Sequence, residues 1–150
     1  MRRARSDDGQ VTLLVLVYTL ISLSFVAVAV DATAVHLART QLLDAADSAA
    51  LDAADALDER AVYARGVGAD LPVTDASVRA QASTYLSAYT APSRLSQVEL
   101  GERTGSPDGV SATVELVGLV RLPIAASVVA TWSRGITVSV SSTARASLQP

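Results

Sequence analysis

The sequence predicts an α+β chain: a long N-terminal transmembrane helix that continues into a small extracytoplasmic domain with a second helix and a three-stranded antiparallel sheet. Three observations predict it. Val11 to Val30 is a run of 20 residues without a charge. No Pro or Gly interrupts the chain between Gln10 and Gly66. Beyond Pro92 the apolar spacing changes from a helical period to a period of two. The expected divisions are a cytoplasmic leader over 1–10, a membrane span over 11–30, an outward continuation of the same helix over 31–66, and a small α+β domain over 67–150.

A helix of 20 residues covers roughly 30 Å, the hydrocarbon thickness of a bilayer. Thirteen of its residues are Leu, Ile, Val or Phe, which together favour insertion by roughly 4–8 kcal/mol. Thr12, Thr19, Ser22 and Ser24 offset part of this, although hydroxyls can bond back to carbonyls one turn earlier. A buried core helix of a soluble protein is the first alternative, but such helices rarely run this long without a charge. A cleavable signal peptide is the second. Arg2, Arg3 and Arg5 supply its basic leader and Ala27-Val28-Ala29 a small-residue site. Against it, the apolar run exceeds the usual ~7–15 residues, and the helical pattern continues past Ala29. Three arginines precede the span and only Arg39 follows within 20 residues. The expected topology is therefore single-pass, with the N-terminus cytoplasmic and Asp31 onward outside.

The outer half of the helix is Ala-rich and amphipathic. At 100° per residue, Asp44, Asp47, Asp55 and Asp58 fall within about 80° of one another. Leu42, Ala46, Ala49, Ala53 and Leu57 lie on the opposite face. Ala45-x-x-x-Ala49-x-x-x-Ala53 and Ala46-x-x-x-Ala50-x-x-x-Ala54 form rows of small residues that let another helix or a sheet approach closely. Leu42, Ala45, Ala46, Ala49, Ala50 and Ala53 are accordingly the candidate helix-packing residues. The plain alternative is that Ala is the best helix former. Asp31 and Arg39 are the candidate membrane-edge residues. Asp31 either marks the interface as the first outer charge or meets a cation of a partner there.

Gly66 and Gly68 end the long helix. A turn region with Pro72 follows. Thr74 is an N-cap with Asp75 favourable in the first turn, opening a helix over 75–90. Val78, Ala82, Tyr85, Leu86 and Tyr89 recur at helical spacing until Pro92 stops the pattern. Val98 and Leu100 then alternate with Gln97 and Glu99. Gly105-Ser106-Pro107-Asp108-Gly109 is a turn, and Val110, Ala112, Val114 and Leu116 alternate with Ser111, Thr113 and Glu115. This pattern is a hairpin with a loop longer than two residues. The second strand extends at most to Pro123. Ile124 to Trp132 is ambiguous between a short helix and a loop. Ile136, Val138 and Val140 mark a last strand through Thr143. Three strands with one apolar face need a cover, from the second helix or from the outer half of the first.

Composition narrows the chemistry. With 150 residues, the chain holds one ordinary domain beside the span. There is no Cys, hence no disulfide, thiol chemistry or Cys-based metal site. A net charge of −3 argues against a nucleic-acid partner. His36 is the single histidine and sits within two turns of the membrane edge, where it is an interfacial polar residue rather than a base. Asp44 and Asp47 could meet a hard cation, but a rigid helix offers few of the six to eight oxygens Ca²⁺ takes; they are read as a solvated acidic face. No Gly-rich phosphate loop occurs, and no nucleophile–base pair is assembled. Trp132 either anchors an interface or fills the core. No enzymatic activity, cofactor, metal or small-molecule substrate is expected.

Gly9-Gln10-Val11 opens the apolar run and Val30-Asp31 closes it. Leu37-Ala38-Arg39-Thr40-Gln41-Leu42-Leu43-Asp44-Ala45-Ala46-Asp47-Ser48-Ala49-Ala50-Leu51 follows. This stretch resembles the N-terminal region of the TadE/TadG-like proteins of Tad (Flp) pilus assembly. Asp31, Arg39, Leu42, Ala45, Ala46, Asp47, Ala49, Ala50 and Leu51 occupy positions of that pattern, over about Gly9 to Ala54. The resemblance implies a pilin-like architecture and a membrane-anchored minor component of a Tad-type pilus or secretion apparatus. Its partners would be the membrane and other assembly proteins, met through helix packing. One position departs. A prepilin-type cut after Gly9 would make Leu14 the fifth mature residue, where a Glu is usual, and no Glu precedes Glu59. The resemblance therefore implies TadG-like anchoring more than TadE-like cleavage. The alternative from another class is an anchored envelope protein whose β-domain is a binding module.

Overall fold

The computed structural model describes residues 8–65, 73–125 and 135–145. Helix α1 runs unbroken over Asp8–Arg65 for 58 residues, about 87 Å at 1.5 Å per residue. Helix α2 spans Asp75–Ala88. Strands β1 (Leu95–Leu100), β2 (Ser111–Val120) and β3 (Ile136–Arg145) form one antiparallel sheet in the order β1-β2-β3. The α+β reading stands, with the elements in the expected order. Gly66, Gly68 and Pro72, the ambiguous segment from 126 to Trp132, and the side chains of Leu57 and Asp58 lie outside the described residues.

Within α1 the apolar half behaves as the sequence predicts for a span. Its most apolar window has a mean hydropathy of 2.6 and buries 0% of its residues inside the chain. Among the described residues nothing covers this window, whereas the core helix of a soluble protein is mostly buried. Thr19 donates to the Val15 carbonyl and Ser24 to the Leu20 carbonyl, each at 2.8 Å. These hydroxyls are satisfied within the helix, as insertion requires.

The outer half is the spine of the domain. Ala34, Ala38, Leu42, Ala45, Ala46, Ala49, Ala50, Ala53 and Ala54 are buried. They pack on β2, β3 and α2. The buried arc is wider than a single row because a sheet and a helix share it. Small side chains set the distance: a Cβ at Gly118 of β2 would sit 3.2 Å from Leu95 and 3.5 Å from Leu42.

Helix α2 starts where expected. Thr74 accepts from the Ser77 amide at 3.2 Å while the Ser77 hydroxyl accepts from the Thr74 amide at 3.1 Å, a reciprocal capping box. It ends at Ala88, two residues short of the expected Thr90, because Tyr89 is extended (φ −73, ψ 125). Ala91, the residue before Pro92, is biased away from the helical region in any case. Val78 and Ala82 face the core.

The strands depart from simple alternation in two places. β1 begins at Leu95, ahead of the expected Gln97, and its register against β2 shifts between Ser96 and Glu99. Gln97 sits at φ 53, so two β1 residues oppose one on β2 as a bulge. β2, the central strand, is buried on both faces at mid-length, Glu115 included. The chain from Gly101 to Gly105 folds back on its outer face and bridges Thr113. β2 ends at Val120, and β3 reaches Arg145 rather than Thr143.

Candidate functional site

The site that organises the molecule lies at the outer end of the span. Directly after Val30, Asp31 shares the helix face of Ala34, Ala38 and Leu42, so it points toward the sheet rather than away from it. Its Oδ1 accepts from the Ile124 amide and its Oδ2 from the Ala125 amide, both at 2.9 Å. Ile124 and Ala125 follow Pro123, just past the end of β2, where the chain turns toward β3. A carboxylate taking two backbone N–H donors is a charge-assisted pair of bonds, roughly twice as strong as neutral ones. Asp31 therefore ties the base of the sheet to the helix at the end of its apolar half. Neither reading of Asp31 as a bare interface marker or as a partner's counter-ion anticipated this; its partners lie 93 and 94 residues away.

Arg39 is exposed. It stands eight residues above Asp31, about 12 Å along the axis, and the structure does not bring the two together. Leu42, Ala45, Ala46, Ala49, Ala50 and Ala53 are brought together, each at most 4% exposed. The neighbours that their small side chains admit are this chain's own sheet and second helix. The face opposite carries exposed Leu37, Asp44, Asp47, Leu51, Asp52 and Asp55.

A second polar cluster braces the middle of β2 beyond the end of β1. Glu115 on β2 accepts from the Arg103 amide at 3.0 Å and from the Arg103 guanidinium at 3.0 and 2.6 Å. The buried Thr104 hydroxyl accepts from the Glu115 amide at 3.1 Å and donates to its carbonyl at 3.2 Å. A Cβ at Gly101 would collide with the Glu115 side chain, so glycine is what lets the loop close over it. The bonds from Arg103 hold the Glu115 carboxyl below the usual carboxylate range. Asp108 is lowered likewise, by bonds from the Val110 and Ser111 amides and the Ser111 hydroxyl that shape the hairpin loop. Alternation alone placed Glu115 on a solvent face, and the signal that could have moved it was the Gly101 to Gly105 stretch of small and polar residues beside it.

Among the described residues no three His, Cys, Asp or Glu side chains gather in a metal-binding group. His36 is exposed on α1. Trp132 lies outside the described residues. The arrangement is one of anchoring and docking: an apolar rod, a carboxylate clamp at its midpoint, and a sheet lying along its outer half.

No curated protein and no solved structure matches the chain. Residues 9–56 match the family model Tad, described as "Putative Flp pilus-assembly TadE/G-like", and the match covers the span, Asp31 and most of the small-residue face. Over its N-terminal third the chain is thus similar to the Tad-like segment that its sequence resembles.

Proposed function

We propose that the protein is a non-enzymatic, membrane-anchored, minor pilin-like component of a Tad/Flp-type pilus assembly or secretion apparatus. The observation that carries this reading is the coincidence of the family match over 9–56 with one unbroken helix whose apolar half is bare and whose outer half bears the domain. A discarded signal sequence has no use for such continuity. The arginines before the span orient it with residues 1–10 in the cytoplasm, 11–30 in the membrane and 31–150 outside.

In this reading the small-residue face is committed to the protein's own sheet. Other assembly proteins meet the bare span within the bilayer and the exposed acidic face of Asp44, Asp47, Leu51 and Asp55 above it. Close van der Waals contact is what holds helices together in lipid.

The test is photo-crosslinking from the native membrane. A crosslinker at Val17 in the span and one at Leu51 on the acidic face should both capture envelope assembly components. One at buried Ala46 should capture none. Capture of nothing from either exposed position, with a strictly monomeric protein on solubilisation, would refute the assembly role. Loss of function on exchanging residues 75–150 alone, with indifference to exchange of the helix, would favour a β-domain binding module instead.

A further inference from the structure

The sheet is docked so that one of its ends faces the membrane. β1 starts there, β2 ends there and β3 starts there, all at the level of Asp31. Between this end and the last turns of the span lies a groove of about 510 Å³ lined by Val26, Ala29, Val30, Thr33, Arg94 and Pro123. Its floor is apolar and belongs to the outer part of the span. Its rim holds a guanidinium.

Charge at this end is one-sided. Arg94 and Arg121 are both exposed, and the Arg121 amide donates to the Arg94 carbonyl at 3.0 Å, so the two cationic residues stand opposite one another across β1 and β2. Like charges placed directly across a strand pair repel. Among the described residues the one salt bridge joins Arg103 to Glu115, midway along β2 and away from this end. Asp31, the carboxylate nearest the groove, already has both oxygens bound to backbone amides. A second copy of this chain would bring to that depth the same committed Asp31. Among the described residues no carboxylate pairs with Arg94.

From this geometry we infer that the groove holds an anionic phospholipid of the membrane's outer face. An acyl chain lies along Val26, Ala29 and Val30, and the phosphate sits at Arg94 on the rim. The floor lies at acyl depth because Val26 to Val30 close the span, and the rim lies at headgroup depth because Asp31 marks its end. The bound lipid neutralises the Arg94 guanidinium and fixes the height of the sheet above the bilayer. The inference rests on Val11 to Val30 spanning the membrane and not on a role in pili.

Native mass spectrometry of the full-length protein in neutral detergent tests it, with phosphatidylglycerol and phosphatidylcholine of identical chains as probes and glycerol 3-phosphate as the soluble headgroup. Phosphatidylglycerol should be retained at least about fivefold better than phosphatidylcholine, the scale of one basic contact at a membrane surface. Arg94→Gln should bring it to the phosphatidylcholine level, Arg94→Lys should keep part of the preference, and Arg79→Gln on α2 should change nothing. Glycerol 3-phosphate should not displace the lipid. Equal retention of the two lipids overturns the proposal. So does an unchanged preference in Arg94→Gln with an intact thermal transition, displacement by glycerol 3-phosphate alone, or a dimer that occupies the groove and is broken by Ala29→Trp. Failure to crosslink assembly components would leave all these outcomes readable.

Discussion

The two halves of α1 are one helix in two solvents. From Val11 to Val30 the residues turned outward are Leu, Val, Ile, Tyr and Phe, with Phe25 72% exposed. From Ala38 to Ala54 the buried positions are almost all Ala, with Leu42 the one large side chain. Size is inverted relative to a soluble helix: bulk lies outside where lipid will fill the gaps, and smallness lies inside where a sheet must come close. A hydropathy profile registers the first half. The second is apolar but not bulky, and its logic is distance rather than water exclusion.

The contrast breaks most sharply in the span. Leu16→Arg with Leu20→Arg should cost about 6–7 kcal/mol of insertion, comparable to everything the apolar run supplies. The protein should leave the membrane fraction on cell fractionation. Asp44→Arg with Asp47→Arg, on the exposed outer face, should leave it there.

Next in size is overfilling of the small-residue face. Ala46→Leu should destabilise the domain by about 1–3 kcal/mol, seen as a lower thermal midpoint in micelles. Leu51→Ala, equally close in sequence but turned to solvent, should fall within about 0.5 kcal/mol of the parent. Equal effects would mean that the sheet does not lie on the face described.

At the joint between the halves, Asp31→Ala removes two charge-assisted bonds and leaves the Ile124 and Ala125 amides without their acceptor. A loss of about 1–3 kcal/mol is expected. Hydrogen exchange should speed first at Ile124 and Ala125, while α1 itself stays protected.

Acid separates the halves most gently. Glu115 and Asp108 are held below their ordinary values of 4.5 and 3.8 in the folded chain. Their contribution is therefore full above about pH 4.5 and is lost as the pH falls from there toward the lowered native values. The span has no Asp, Glu or His from Val11 to Val30. Circular dichroism on acidification should show the sheet loosening while the span remains helical, and Glu115→Gln should flatten much of that dependence.

What the sequence made legible was local. The unbroken helix, the Thr74 cap, the switch of period and the order of three strands follow from spacing and from residues that stop or start helices. The hidden features depend on contacts across the chain. Gln97 at φ 53 looks like an ordinary polar strand residue, because a bulge is imposed by pairing and has no glycine to announce it here. Glu115 alternates as a surface residue, yet a loop 12 residues earlier covers it. Asp31 carries the largest surprise: nothing near Ile124 in sequence advertises two amides that donate to a carboxylate 93 residues earlier. The small-residue face was read as a surface for approach, and its burial shows that the approaching element is the chain's own sheet and second helix.

The clamp at Asp31 also sets an order of events. Its partners are made 93 and 94 residues after it, so during synthesis the carboxylate exists long before anything can bind it. Helix α1, α2 and the first hairpin can form from what has already emerged, whereas closing so long a loop is entropically costly and waits for the chain beyond β2. The tie at the membrane edge is the latch that closes late, after the spine has been built and the first two strands have found it.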